Sequence, residues 1–219
     1  MSSSRLGGRI GRNALILVIE TSTGMCSVAL LDGGKVVDSR AERIGRGHAE
    51  RLVPMIEDLL DRRVPSRILV SVGPGSFTGV RVGIAAAQGL AIGWNVPLSG
   101  FSSLAAIAAA ARAEHPEAST ITAAMPGGHG ELFLQDYGGR TLKALGAPRS
   151  LPPIAAAAET SSDLVAGPAA AALVEAGAPA PAIELAPLAA QAALLPSALG
   201  ALAVAPLYVR APDAKPKAA

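Results

Sequence analysis

Apolar positions along the first half of this chain switch between two periods. Residues 14–19 form a continuous run rich in β-branched side chains, and residues 26–31 and 35–41 follow with strand character. The last two are joined by Asp32-Gly33-Gly34, a strong hairpin signal. From 48 to 62 the spacing becomes helical, with Ala49, Leu52, Val53, Ile56, Leu59 and Leu60 on one stripe. Pro54 inside that stripe predicts a helix that starts late or is kinked. Residues 68–72 predict a second buried strand, and a Gly-rich turn follows. A small-residue helix then runs from about 79 to 94 and closes at Asn95-Val96-Pro97. A short strand over 98–101 and a helix over 102–113 complete the series.

The order is three meandering strands, helix, strand, helix, strand, helix. That order predicts an α/β fold of the actin-like or ribonuclease-H-like (ASKHA) type, with two lobes of mixed sheet flanked by helices. After residue 113 the character changes, and His115-Pro116-Glu117 reads as a linker. Residues 121–125 and 131–137 predict paired strands around Pro126-Gly127-Gly128-His129-Gly130. Beyond Gly138, Ala and Pro dominate. That stretch predicts a strand at 164–166, a short helix after Pro168 and a helix near 188–202, with a faint suggestion that the second half reruns the first. The expected division is a flexible extension (1–13), an N-terminal lobe (14–113), a smaller, divergent C-terminal lobe (114–210) and a tail (211–219).

Composition narrows the function. With 219 residues, half of them apolar, the chain can bury a substantial core. Lys plus Arg number 19 against 17 Asp plus Glu, and the only loose basic group is Arg5, Arg9 and Arg12. Aromatic residues are scarce as well, so any RNA connection is expected to be indirect. Cys26 is the only cysteine, which excludes an internal disulfide and a cysteine-based metal site and fits a reducing, cytoplasmic setting. The first apolar run ends at Glu20 after six residues, too short for a secretory core or a membrane span.

Two turns carry candidate chemistry. In Gly73-Pro74-Gly75-Ser76-Phe77-Thr78-Gly79-Val80-Arg81, a strand runs into a helix through glycines whose amides can face an anion, and Ser76 or Thr78 can cap the helix. Glu20-Thr21-Ser22-Thr23-Gly24 closes the first hairpin. On an actin-like sheet both turns point into the cleft between lobes, where they would form a phosphate cradle. Plain turn chemistry with no ligand accounts for either one equally well.

Three ordered segments resemble the TsaB (YeaZ) family: Ile19-Glu20-Thr21-Ser22-Thr23, Gly45-Arg46-Gly47-His48-Ala49-Glu50-Arg51-Leu52-Val53-Pro54-Met55-Ile56, and Gly73 through Gly83. Pro206-Leu207-Tyr208-Val209-Arg210 resembles that family's ending. The resemblance is close over roughly 14–113, and 138–202 supports no family by motif. It implies a scaffold or regulatory subunit in formation of N6-threonylcarbamoyladenosine at position 37 of tRNAs reading codons that begin with A. The implied partners are a TsaD-type catalytic subunit, a TsaE-type ATPase and a second copy of the chain, with tRNA contacted only indirectly. The resemblance also allows ATP or ADP beside the partner interface, with no intrinsic cofactor.

TsaD-like proteins carry a metal-binding His-x-x-x-His whose positions fall here at Ser103 and Ile107. Isoleucine cannot ligate and serine does so poorly, so no catalytic metal is expected. The resemblance places the docking face on residues 48–62 and 79–94, and Arg51, Leu52, Met55, Ile56 and Leu59 are expected to line it, with His48 beside them. Leu and Ile at these positions read equally as ordinary core, so only some are expected to be exposed. Gly79, Gly83, Ala86, Gly89 and Gly93 share one stripe of the second helix, which admits a close neighbour, either a partner or the chain's own sheet. Arg81 is placed to reach phosphate or the partner. The departures are Glu20, where the family often has Asp, and Met125-Pro126-Gly127-Gly128, where it has an Asp-Ala-Arg-like start. Two enzymes stand as alternatives: a free-standing actin-like ATPase or kinase using Glu20, and a glycoprotease-type peptidase using Ser76. Gly-x-Ser-x-Gly is not met for the second, and His48, His115 and His129 are far apart. His48 is expected at the surface or as a cap, and His129 in solvent.

Overall fold

The structure is a computed structural model and describes residues 15–210. The extension at 1–13 and the tail at 211–219 therefore lie outside the described residues, as do Arg5, Arg9 and Arg12. Strands β1 (Ile16–Glu20), β2 (Met25–Asp32) and β3 (Lys35–Arg43) lead to α1 (His48–Leu60). Then come β4 (Arg67–Ser71), α2 (Phe77–Trp94), β5 (Leu98–Phe101) and α3 (Ser103–Glu114). The second half contributes β6 (Thr120–Pro126), β7 (Leu132–Gly138), β8 (Lys143–Ala144), β9 (Arg149–Leu151), α4 (Pro153–Glu159), β10 (Leu164–Ala166), α5 (Ala170–Glu175) and β11 (Ala182–Ile183).

The first sheet has the order β3-β2-β1-β4-β5, with β1 antiparallel to β2 and parallel to β4. Asp32 pairs with Lys35 across the β2–β3 turn, and Gly33 (φ 56°) and Gly34 (φ 80°) both take the left-handed backbone that this two-residue turn requires. β1 is apolar from Ile16 to Ile19 because both its faces are covered. Leu17 and Ile19 join the cluster under α1 and α2, and Val18 joins the cluster on the opposite face.

The second sheet runs β11-β10-β6-β7-β8, with β9 also paired to β7. Again a central strand has an antiparallel partner on one side (β7) and a parallel partner on the other (β10). The second half thus reruns the order and directions of the first. α3 is buried on nearly every side from Ser103 to Ala111 and packs against β6 and the 3-10 turn at Ala189–Leu194.

Several expectations need correction. α1 starts at His48 and runs through Pro54. Pro54 and Glu50 are both on the exposed side, so the carbonyl that Pro54 leaves unpaired stays in water and the cost of an interior proline is softened. Ala49 and Val53 also face outward rather than joining the buried stripe. The helix expected near 188–202 is instead two 3-10 segments, Ala189–Leu194 and Ser197–Gly200, separated by Pro196. This stretch does not stay with the second sheet. Ala189 N–H donates to Ser27 Oγ at 3.0 Å, Gly100 and Leu202 exchange backbone hydrogen bonds, and Leu207 N–H donates to the Val72 carbonyl at 2.8 Å. The far end of the expected C-terminal lobe therefore packs on the first sheet.

Candidate functional site

The turn after β1 and the Gly-rich loop after β4 meet as expected, but they bind each other. Ser76 N–H donates to the Ser22 carbonyl at 2.7 Å, and Thr21 Oγ1 donates to the Gly79 carbonyl at 2.8 Å. Ser76 caps α2 by accepting from Gly79 N–H at 3.2 Å, and Gly73 N–H donates to Ser71 Oγ at 3.2 Å. A Cβ on Gly75 (φ 153°) would come within 2.2 Å of the Ser22 carbonyl oxygen, and one on Gly83 within 2.3 Å of Thr21 Oγ1. The glycines thus admit the chain's own turn, and the amides of Gly73, Ser76 and Gly79 are already used inside the protein. That removes them from the expected phosphate cradle. Thr23 Oγ1 accepts from Met25 N–H at 3.1 Å, which is turn chemistry, and Thr78 is an exposed residue of α2.

Glu20 lies at the end of β1 with no exposed surface. Its Oε1 accepts from Ser22 N–H at 2.6 Å and its Oε2 from Ser103 Oγ at 2.9 Å. Ser103 Oγ also lies 2.8 Å from Ser22 Oγ and 2.6 Å from Ser71 Oγ. One donor and two acceptor sites on Ser103 satisfy all three contacts. Burial pushes the Glu20 carboxyl above its ordinary 4.5, opposed by the hydrogen bonds from Ser22, Ser103 and Ser71. The Glu20 carboxyl is thus enclosed by the chain's own groups, and Ile107 sits in the apolar core with no exposed surface. Among the described residues no group of three or more His, Cys, Asp or Glu could hold a metal ion.

The histidines sit on separate elements. His48 corrects the surface expectation, because it is buried and its Nε2 lies 3.3 Å from the Met25 carbonyl, tying the start of α1 to β2. His115 pairs with Glu117 at 3.1 Å, and His129 is exposed at the β6–β7 turn with φ 60°. Ser76 Oγ serves as the cap of α2, accepting from Gly79 N–H.

On the expected docking helices the structure redistributes the residues. Leu52, Met55, Ile56 and Leu59 are all buried, packed in the cluster beneath α1 and α2, so none can line an exterior face without unfolding. Arg51 is exposed and pairs with Glu42 at 2.7 Å through Nε. The small-residue stripe of α2 divides. Gly79 and Gly83 press on Thr21 and Ala86 is half-buried, while Gly89 and Gly93 open onto free space beside Ile92, which is 83% exposed.

Arg81 is held by Phe77 and the 206–210 segment. Its Nη1 donates to the Phe77 carbonyl at 2.9 Å and its Nη2 to Tyr208 Oη, and the guanidinium lies 3.2 Å from the Phe77 ring centroid. No local pattern in the sequence marked Phe77 or Ser71 as participants. The family-like ending at 206–210 was the one signal that pointed to Tyr208.

The family model described as "TsaD: tRNA N6-adenosine threonylcarbamoyltransferase" matches residues 36–206. YeaZ from Pseudomonas aeruginosa superposes with a TM-score of 0.76 at 31% identity, covering 89% of this chain and 99% of that one. The chain belongs to the TsaB/YeaZ family. The Escherichia coli K12 tRNA threonylcarbamoyladenosine biosynthesis protein TsaB is 39% identical over 127 residues, 56% of this chain and 54% of that protein. The Bacillus subtilis 168 protein of the same name is 37% identical over 102 residues, 44% of each. The chain spans about half the length of the curated TsaB relatives it matches. In this TsaB/YeaZ chain, no helix among the described residues is long and apolar enough to cross a membrane.

Proposed function

We propose that the chain acts in formation of tRNA threonylcarbamoyladenosine as a non-catalytic subunit that docks on a TsaD-type enzyme in the cytoplasm. The observation that carries this reading is the sealed end of the first sheet: Glu20 is buried and satisfied by Ser22 and Ser103, and Ile107 fills the second ligand position with core. An ATPase or kinase would need that carboxylate open to magnesium or a nucleophile. The docking face is the outer side of α1 and α2, where Val53 is 52% exposed and Ile92 stands between the open Gly89 and Gly93. A second copy of the chain uses the same face and so competes with the TsaD-type subunit. A TsaE-type ATPase joins the assembled pair, and tRNA is reached through it. ATP or ADP near this subunit is held chiefly from the partner's side, because the amides of Gly73, Ser76 and Gly79 are bonded within the chain.

Size-exclusion chromatography with light scattering tests this, on the chain alone and mixed with the TsaD-type protein of the same organism. A mixed complex that Ile92→Glu weakens in folded protein supports the reading. No complex with any nucleotide overturns it.

A further inference from the structure

A cleft of about 840 Å³ lies between the Gly-rich loop, the β6–β7 hairpin and residues 206–210, and the function proposed above makes no use of it. The sequence has one Trp, two Tyr and three Phe. Half of these aromatic residues, Phe77, Phe133 and Tyr208, line this one cleft. Phe77 is 69% exposed and Tyr208 57%, so apolar ring surface that the fold could have buried stands in water. Arg81 stacks 3.2 Å from the Phe77 centroid and 5.4 Å from that of Tyr208. Its two hydrogen bonds, to the Phe77 carbonyl and Tyr208 Oη, hold it in place and leave further N–H donors of the guanidinium for an incoming acceptor. His129 and Arg210 also line the cleft, each with a partner of its own, and among the described residues no carboxylate lines it.

Exposed aromatic rings around a pre-ordered arginine are the composition of protein-interface hot spots. A small-molecule pocket would enclose most of its ligand, whereas rings this exposed form the walls of an open groove. Arg81, bonded only to neutral oxygens, sets the charge of what fits. We propose that this cleft docks an acidic peptide segment of a partner protein, seating an apolar or aromatic side chain among Phe77, Phe133 and Tyr208 with a neighbouring carboxylate on Arg81. Because Arg81 is already fixed, little side-chain entropy is lost on docking.

A phage-displayed library of random short peptides, panned on the full chain and then titrated as fluorescein-labelled peptides, tests the assignment. The expected result is enrichment of Asp or Glu beside Phe, Tyr, Trp or Leu. Binding should weaken about tenfold or more, ~1.4 kcal/mol, in Phe77→Ala and in Arg81→Glu, each checked for folding by circular dichroism. Absence of enrichment, selection of basic peptides, or equal binding by both variants overturns the proposal. Displacement of the peptide by ADP would make the cleft a nucleotide site, and selection only by a chain lacking residues 211–219 would make that segment the occupant. Either outcome overturns it as well. No TsaD-type protein is present in the assay, so its failure leaves the docking of α1 and α2 standing.

Discussion

A methyl group built on Gly79 would come within 2.1 Å of the Thr21 carbonyl oxygen, so the turn after β1 and the first turn of α2 are in backbone contact. The obstacle is main chain on both sides and cannot swing away. Gly79→Ala should therefore destabilise the fold by ~2 kcal/mol or more, the cost of overpacking a site that cannot relax. Gly89 sits in the same helix, and a methyl group placed there would meet nothing within 4 Å. Gly89→Ala should stabilise by ~1 kcal/mol through helix propensity alone. Urea unfolding of the two variants should move in opposite directions from the parent.

Glu20 predicts a pH dependence of definite sign. Its folded-state carboxyl titrates above the ordinary 4.5 because burial penalises the anion. The stability this group contributes is thus fully present below about 4.5 and lost as pH rises through the folded value. Glu20→Gln preserves the acceptor for Ser22 N–H and can donate to Ser103 Oγ. It should flatten this part of the stability profile and be more stable than the parent at pH 8. An unchanged slope between pH 4.5 and 8 would count against a burial penalty that outweighs these hydrogen bonds.

The α1 stripe separates packing from docking. Leu52 has no exposed surface, so Leu52→Glu should abolish cooperative unfolding by placing an unpaired charge in the core. Ile92→Glu should leave thermal stability within ~0.5 kcal/mol of the parent, as for other surface changes. Circular dichroism melts of both, beside the light-scattering assay, distinguish loss of fold from loss of a docking face.

Cys26 is buried, and burial, followed by the nearby Glu42 carboxylate, pushes its thiol up to about 11. The thiolate is the reactive form, so Ellman's reagent should fail to label the native chain at pH 8. Labelling should appear in urea with the unfolding transition. Prompt reaction in native protein would mean that β2 opens locally.

Arg81 and Tyr208 join residues 127 apart. Lys cannot reproduce a planar fork that both stacks and donates, so Arg81→Lys should raise amide hydrogen exchange at 206–210 while leaving β1, β4 and β5 protected. Equal exchange in both proteins would show that Leu207 N–H to the Val72 carbonyl is enough to hold the segment.

What the sequence determined by itself is short-range. The apolar runs and helical spacing of the first half, the Asp32-Gly33-Gly34 turn, a cap at Ser76 or Thr78 and the order of strands and helices all depend on neighbours within a few residues. They are legible for that reason, and the same local segments carried the resemblance to the TsaB/YeaZ family. The tertiary structure decided which partner each group takes. An apolar stripe says that a face is covered, not by what, so Leu52 and Ile56 read equally as interface or core until the sheet beneath them was in place. Ser103 meets Glu20 across 83 residues, and Ala189 meets Ser27 across 162. No local pattern announces such pairs, because their hydrogen bonds exist only once chain closure has brought the ends of separate strands together.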